Sequence, residues 1–206
     1  MELTDALGSI SEIRAQLART ETFRGFRSLT VGCSGLLGVG AALLQWQTMQ
    51  SGTLSPRHFV ELWVGVALIS LLVVGAELVY RCSVDLSPLR RRLTILTLQQ
   101  FAPCLVAGAA VTATFATAAP ELVWMLPGVW AILFSLGMFA TCRLLPRATF
   151  GVAVYYMLAG IGCLSLGTDV AAWSPWMMLG TFGVGQLMAA GVLYVTLERA
   201  HAEPSP

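Results

Sequence analysis

The sequence predicts an all-α polytopic membrane protein, a bundle of six transmembrane helices preceded by a cytoplasmic amphipathic helix. Three observations predict this fold class. Of the 206 residues, 56% are hydrophobic and 11% are charged, and the mean hydropathy is +0.75. A water-soluble chain of this length needs less apolar material for one core. The chain also contains six long apolar stretches, and its arginines fall on alternate connections between them.

Each apolar stretch has close to the roughly 20 residues that a helix needs to cross the hydrocarbon core. The stretches are Ser28–Gln47, Phe59–Tyr80, Phe101–Ala118, Leu122–Thr141, Phe150–Gly167 and Trp176–Thr196. Each must be a helix, because no water inside the bilayer can satisfy free backbone groups. Pro127 lies inside the fourth stretch and predicts a kink or a restart of that helix. The transmembrane domain is therefore predicted over residues 28–197, between an N-terminal segment (1–27) and a short tail (198–206).

The arginines predict the orientation. All 12 basic residues are arginine, because the chain has no lysine. On one side lie Arg14, Arg19, Arg24, Arg27, Arg81, Arg90, Arg91, Arg92, Arg143, Arg147 and Arg199. Only Arg57 lies on the other side. The excess of positive charge predicts that both termini are cytoplasmic. The absence of Lys and Asn, whose codons are A-rich, favours a GC-rich bacterial genome and therefore a bacterial inner membrane.

An amphipathic helix is predicted before the first span. The apolar residues recur there at helical spacing, at Leu3, Leu7, Ile10, Ile13 and Leu17. Ser9 and Glu12 have the spacing of a capping box. The segment lacks the apolar centre of a signal peptide, so we expect the first span to direct insertion. Two interpretations of the stripe stay open: Leu7, Ile10 and Leu17 contact lipid or the chain's own bundle, or they bind a helix of a partner protein.

A second cytoplasmic element is predicted to begin at Ser87-Pro88 and to continue into the third span. Arg90, Arg91 and Arg92 then lie in its first turn, where the helix dipole disfavours cations. Topology or anionic lipid explains them better than helix stability does. Further along, Gln99 and Gln100 precede Pro103, which frees the carbonyl of Gln99. The two amides are either part of a cytoplasmic vestibule that contacts a substrate or interfacial residues near lipid headgroups.

Polar residues within the spans are the usual indicators of function, because they are costly in a bilayer. Gln186 lies near the middle of the sixth span. It is either an interhelical hydrogen-bonding residue or a contact for a solute or an ion. Glu77 lies one turn from Arg81. It either forms a helical ion pair with Arg81 or snorkels to the interface, or it takes part in a proton relay.

No enzymatic motif is apparent. The chain has no GxxxxGK[ST], HExxH or GxSxG motif. His58 and His201 are predicted on opposite sides of the membrane, so they cannot share a haem or a metal ion. We therefore predict no catalytic residue, no metal and no cofactor. The net charge of +1 gives no reason to expect a nucleic acid as partner.

Two comparisons bear on the architecture: one between the two halves of the sequence, and one between the sequence and known membrane proteins. Six spans divided into three plus three would give inverted halves, as in several transporters, but no residue-level match between the halves is visible. The region from Leu126-Pro-Gly-Val-Trp-Ala-Ile-Leu-Phe to Ala159-Gly160 resembles small six-span bacterial inner-membrane proteins of the acid-resistance HdeD type. The arrangement also looks like uncharacterised bacterial membrane proteins. Neither resemblance implies a catalytic residue.

These observations favour a non-catalytic accessory or sensor component, which acts through helix packing and its cytoplasmic helix. The alternative is a small-solute transporter or channel with a site around Gln186. The expected partners are the lipid bilayer and either a second copy of the chain or another membrane protein.

Overall fold

The structure is a computed structural model that describes residues 28–53, 55–84, 88–166 and 174–198. At positions 81–82, 88–90 and 197–198 it describes the course of the helix without the side chains. The predicted amphipathic helix of residues 1–27 and tail residues 199–206 lie outside the described residues.

The described residues fold into helices joined by short connections. The helices are α1 (Ser28–Gln50), α2 (Pro56–Val84), α3 (Pro88–Thr117), α4 (Leu126–Thr141), α5 (Thr149–Ser165) and α6 (175–198). Five helical segments are long and apolar enough to cross a membrane: α1, α2, α3, α6, and α4 taken together with the 3₁₀ segment Pro120–Met125 before it. In contrast, α5 has 17 residues. The all-helical prediction is thus confirmed for the described part of the chain, and the sixth crossing stays a prediction.

Proline and small polar residues set where the helices begin. A proline stands at the start of four helical segments: Pro56, Pro88, Pro120 and Pro175. Proline suits a first turn because its missing N–H would have no helical partner there. Before α6, the Ser174 hydroxyl caps the helix by accepting from the backbone N–H of Trp176. Between α1 and α2, Gly52 has a φ of +69°, which a glycine adopts without strain.

The fourth span restarts where Pro127 predicted it. A 3₁₀ segment, Pro120–Met125, leads directly into α4, and Pro127 lies in the first turn of that helix. The prediction for the third span is also confirmed, since α3 begins at Pro88 and continues through Pro103 to Thr117.

The helices form a ring. Each helix packs on the next one along the chain, and α6 returns to pack on α1. Because the connections are short, neighbouring helices run antiparallel. The chain can therefore be described as three consecutive hairpins: α1–α2, α3–α4 and α5–α6.

The first two hairpins repeat one structural feature. In each, an indole N–H of the second helix donates to a polar side chain 18 residues earlier, on the first helix. The Trp63 Nε1 donates to Gln45 Oε1 at 2.8 Å, and the Trp130 Nε1 donates to Thr112 Oγ1 at 2.8 Å. The same number of residues separates Gln45 from Thr112 as separates Trp63 from Trp130. This shared contact relates two consecutive hairpins of the same orientation, whereas the three-span units considered from the sequence would be inverted.

The third hairpin shares part of this pattern. Phe59, Leu126 and Met178 are all fully buried in one apolar cluster, which joins α2, α4 and α6. Each is followed four residues later by an aromatic side chain that packs on the same cluster: Trp63, Trp130 and Phe182. Equivalent positions of the three hairpins thus meet at one level of the bundle.

Candidate functional site

Gln186, the principal candidate from the sequence, lies on α6 and is partly buried. Within the described part of the chain its amide makes no hydrogen bond that meets ordinary geometric limits. It lies one turn beyond Phe182, and residues four apart share a helix face. Gln186 therefore lies on the same side of α6 as the aromatic core.

That core consists of four aromatic rings, one each from α3, α4, α5 and α6. Phe134 contacts Phe101 at 5.1 Å, Tyr156 at 4.8 Å and Phe182 at 6.1 Å between ring centroids. Tyr156 lies 5.9 Å from Phe182. These distances are those of favourable edge and tilted aromatic pairs. These aromatic side chains pack on one another on the side of α6 where Gln186 lies.

The backbone of α6 is irregular where it meets this core. Residues Leu179–Val184 form a π-helical segment between α-helical turns. The Tyr155 hydroxyl donates to the carbonyl oxygen of Gly180 within this segment. The next side chain, Tyr156, is fully buried, and its hydroxyl has no hydrogen-bond partner in the described residues. A Cβ at Gly185 would lie 2.7 Å from that hydroxyl, so only glycine fits opposite Tyr156.

Several other polar side chains within the bundle hold neighbouring helices together, while hydroxyls such as those of Thr97, Thr141 and Thr181 bond to a carbonyl of their own helix. Gln45 and Trp63 are buried and hydrogen-bonded, as described above, and Thr112 and Trp130 form the second such pair. On the next interface, the Ser135 hydroxyl of α4 donates to the Ala153 carbonyl of α5 at 2.7 Å. Interhelical hydrogen bonds of this kind stabilise membrane proteins by about 0.6 to 2 kcal/mol each.

Glu77 is engaged by α1. The Thr30 hydroxyl donates to the Glu77 carboxylate, so this contact joins the first two helices near one end of the bundle. The ion pair expected between Glu77 and Arg81 is not tested, because the side chain of Arg81 lies outside the description.

At the opposite end of α2, Arg57 and Glu61 form an exposed ion pair with an N–O distance of 2.8 Å. Exposed pairs contribute about 0 to 1 kcal/mol. The His58 ring contacts the Ser55 hydroxyl and the Thr53 carbonyl, at 3.1 and 3.2 Å. These contacts order the turn between α1 and α2.

The remaining predicted residues lie on the surface or outside the described residues. Gln99 and Gln100 are exposed on α3, and no hydrogen bond joins them to Gln186 in the described part. Arg91 and Arg92 are exposed at the start of α3, and only the backbone of Arg90 is described. Leu7, Ile10 and Leu17 lie outside the described residues. The role of the three glutamines as substrate contacts therefore stays a prediction.

Metal-binding groups are not assembled in what the structure describes. No group of three or more His, Cys, Asp or Glu side chains with the spacing of a metal site occurs among the described residues.

Two of the three seams between hairpins are tightly closed by glycines. Between α4 and α5, a Cβ at Gly160 would lie 2.8 Å from the carbonyl oxygen of Gly128. Between α6 and α1, a Cβ at Gly38 would lie 3.5 Å from the Cα of Gly183. Small residues allow such close approach of helix backbones in membranes.

The third seam, between α2 and α3, is open in its middle. No residue of α2 between Trp63 and Leu78 is buried, and none of α3 between Thr97 and Thr112 is buried. Only 11% of the apolar stretch is buried in each of these helices, against 33–44% in α1, α4 and α6. The seam closes at both ends. At one end Phe59 and Trp63 of α2 and Val111 and Phe115 of α3 pack in one apolar cluster. At the other end Leu78, Leu93, Leu144 and Leu145 form a second cluster.

The two indole hydrogen bonds and the open seam were not predicted from the sequence. The equal spacing of Gln45–Trp63 and Thr112–Trp130 was a usable signal for the indole hydrogen bonds. For the open seam, the signal was the mean hydropathy of the apolar stretch of α2, 2.3, which is the highest among the candidate spans. No protein-family model, curated protein or solved structure matches the chain.

Proposed function

We propose that the chain is a non-catalytic accessory or sensor component of a membrane, which acts by contacting other proteins through its cytoplasmic segment. The observation that supports this role is the use of polar side chains inside the bundle. Gln45, Thr112, Ser135 and Tyr155 are all bonded to a neighbouring helix. Groups engaged in this way act as scaffold, so the bundle is suited to hold and orient a docking element.

In this proposal the docking element is the apolar stripe of the N-terminal segment, with both termini in the cytoplasm of a bacterial cell. A photoreactive amino acid at Leu7 or Ile10 tests it. We expect one protein adduct of discrete mass from each position, because both belong to the stripe. Glu12 and Gln16 are the matched controls, since they lie in the same segment on other faces.

Deletion of residues 2–20 should remove the adducts and leave a folded, membrane-inserted bundle, because the ring of helices is complete without that segment. Equal adducts from the stripe and from the control positions, or no protein adduct from either, would refute the docking role. Loss of the inserted bundle on deletion would show instead that the segment is integral to the fold.

A second candidate function, a small-solute transporter or channel, is favoured by one observation. The Gln186 amide is partly accessible and makes no hydrogen bond among the described residues. A polar group in this state is available to a solute, whereas a structural residue would already have its partner. The site would lie beside Phe182 and the π-helical segment, a backbone irregularity that often occurs at functional sites.

The same substitution at two glutamines separates these roles. Gln186→Leu should leave thermal stability unchanged and abolish solute flux if Gln186 contacts a solute. Gln45→Leu is the matched control: it removes the partner of the buried Trp63 indole and should destabilise the bundle by about 1 to 3 kcal/mol. Unchanged flux in a stable Gln186→Leu protein would exclude the transporter site. A loss of stability like that of Gln45→Leu would identify Gln186 as structural.

A further inference from the structure

We propose that the open α2–α3 seam binds an anionic phospholipid, with one acyl chain in the seam and the phosphate at Arg92. We call the open middle of this seam the α2–α3 window. It is flanked by Ala67, Leu71 and Val74 of α2 and by Gln100, Cys104 and Ala107 of α3. These residues share the faces of Leu78 and Leu93, at the helical spacings that follow from 3.6 residues per turn.

The window is unfilled by the chain itself. Leu71 is 51% exposed, Ala67 is exposed, and Val74, Cys104 and Ala107 are only partly covered. At the equivalent seams, helix backbones lie almost in contact through Gly38 and Gly160. In contrast, a Cβ at Gly75, at the edge of the window, would meet no atom within 4 Å. An apolar occupant must therefore come from outside the described bundle.

The shape of the window favours an acyl chain over a transmembrane helix. The window extends from Trp63 to Leu78, which at 1.5 Å per residue is about 22 Å. Half of a hydrocarbon core is about 15 Å, so the tail of one leaflet fits within this height. A helix is about 10 Å wide and has to pass the whole membrane. The contacts that close the window at both ends would keep such a helix outside.

The polar groups beside the window match a phospholipid in order. Arg92, Leu96, Gln99 and Pro103 follow one another at helical spacing, so they lie on one face of α3, and all four are exposed. Gln99 and the neighbouring Gln100 lie about 10 Å along the helix axis from Arg92. The guanidinium suits a phosphate, and the amides are donors at the depth of the ester carbonyls. This face lies one residue, about 100°, around α3 from the window face of Leu93 and Cys104, so Gln100 is the amide that borders the window.

The charge at this end of the bundle favours an anionic headgroup. Four arginines lie at this end, because α3 begins there and α4 ends there. All four are exposed: Arg91, Arg92, Arg143 and Arg147. The acidic side chain described at this end is Glu77, which is partly buried and accepts from Thr30. Arginines near a membrane surface each strengthen the attraction to anionic lipid.

Native mass spectrometry of the full chain in mild detergent tests the proposal, with phosphatidylglycerol and phosphatidylcholine of identical acyl chains as probes. We expect the protein to retain one phosphatidylglycerol molecule and to bind it more tightly than it binds phosphatidylcholine. Arg92→Gln should weaken phosphatidylglycerol binding about fivefold and leave phosphatidylcholine binding unchanged, because it removes one basic contact. Arg57→Gln is the control at the other end of the bundle.

The acyl-chain site is tested by filling the window. Ala107→Leu should weaken retention of both lipids, whereas Ala113→Leu should not, because Ala113 lies exposed on the opposite face of the same helix. Equal retention in these two variants, or equal affinity for the two lipids in the unchanged protein, would overturn the proposal. Crosslinking of Cys104 to a protein partner in native membranes, with no lipid retained, would also overturn it and would identify a helix as the occupant. These readouts are independent of the N-terminal docking test.

Discussion

Gly160→Ala is the sharpest test of how the α4–α5 seam is held. The new Cβ would lie 2.8 Å from the Gly128 carbonyl oxygen, 2.7 Å from Ile132 Cγ1 and 3.1 Å from the Ile132 backbone nitrogen. Two of these neighbours are backbone atoms, which cannot rotate away as a side chain can. The two helices must therefore separate, and the Ser135 hydrogen bond to Ala153 would lengthen with them.

The magnitude follows from two opposing effects. Overpacking of a close contact costs typically 1 to 3 kcal/mol, and a backbone neighbour places Gly160 in the upper part of that range. Alanine recovers about 1 kcal/mol of helix propensity over glycine. The net destabilisation should be about 1 to 2 kcal/mol, which for a chain of this size lowers the melting temperature by about 2 to 8 °C.

Gly162→Ala is the matched control, two residues away on the same helix. A Cβ there meets no atom within 4 Å, so the substitution should keep the propensity gain and raise the melting temperature slightly. The assay is the fraction of purified protein that stays monodisperse in detergent after heating. If Gly160→Ala is as stable as Gly162→Ala, the close backbone contact does not exist in the folded protein and the packing described for this seam is wrong.

Three further outcomes are expected. Thr112→Val should lower stability by about 1 to 3 kcal/mol because it leaves the Trp130 N–H unpaired, whereas Thr114→Val, on an exposed position of α3, should change it little; equal melting temperatures would contradict this. Burial raises the pKa of the Cys142 thiol, against a smaller opposing effect of its hydrogen bond with Thr149, so less thiolate forms at a given pH. Alkylation of Cys142 by iodoacetamide should therefore reach half its maximum at a higher pH than alkylation of free cysteine, and coincident profiles would count against it. In a cysteine-free background, Ser205→Cys should be protected from a membrane-impermeant thiol reagent in intact cells, since the excess of arginine on one side predicts a cytoplasmic C-terminus; labelling from outside would reverse the topology.

The helices could be predicted because apolar length and proline position are local properties. Pro88 and Pro127 mark a helix start and a restart in both the sequence and the structure. The contact between Gln45 and Trp63 could not be predicted in the same way, because it depends on how two helices rotate about their axes. Gln45 lies near the end of the first apolar stretch, where a glutamine is usually interfacial, yet it is fully buried.

The open seam has only a partial signal in the sequence. The apolar stretch of α2 has the highest mean hydropathy, 2.3, and is buried to only 11%, whereas those of α1 and α6 have values of 1.4 and 1.5 and are buried to 33% and 39%. The other two spans do not follow this relation, since α3 has a value of 1.5 and is also buried to 11%, and α4 has a value of 1.9 and is buried to 44%. In a bilayer the solvent is apolar, so the residues facing it are large aliphatics, while buried faces use glycine and polar residues for close packing. The candidate residues Gln186, Gln99 and Gln100 do not follow from this relation, because the use of a polar group depends on its three-dimensional neighbours.

The pairing of α1 with α6 has a consequence for biogenesis. Among the described helices, α1 is made first and α6, one of its neighbours, is made last, so the small-residue face of α1 around Gly35 and Gly38 stays without that neighbour until α6 has been made. At an elongation rate of about 5 to 20 residues per second, that interval lasts about 7 to 30 s. A nascent chain stalled before Pro175 presents this face to the insertion machinery and to other nascent chains. The small-residue face of α1 can therefore pack on its partner within the chain only after α6 has been made.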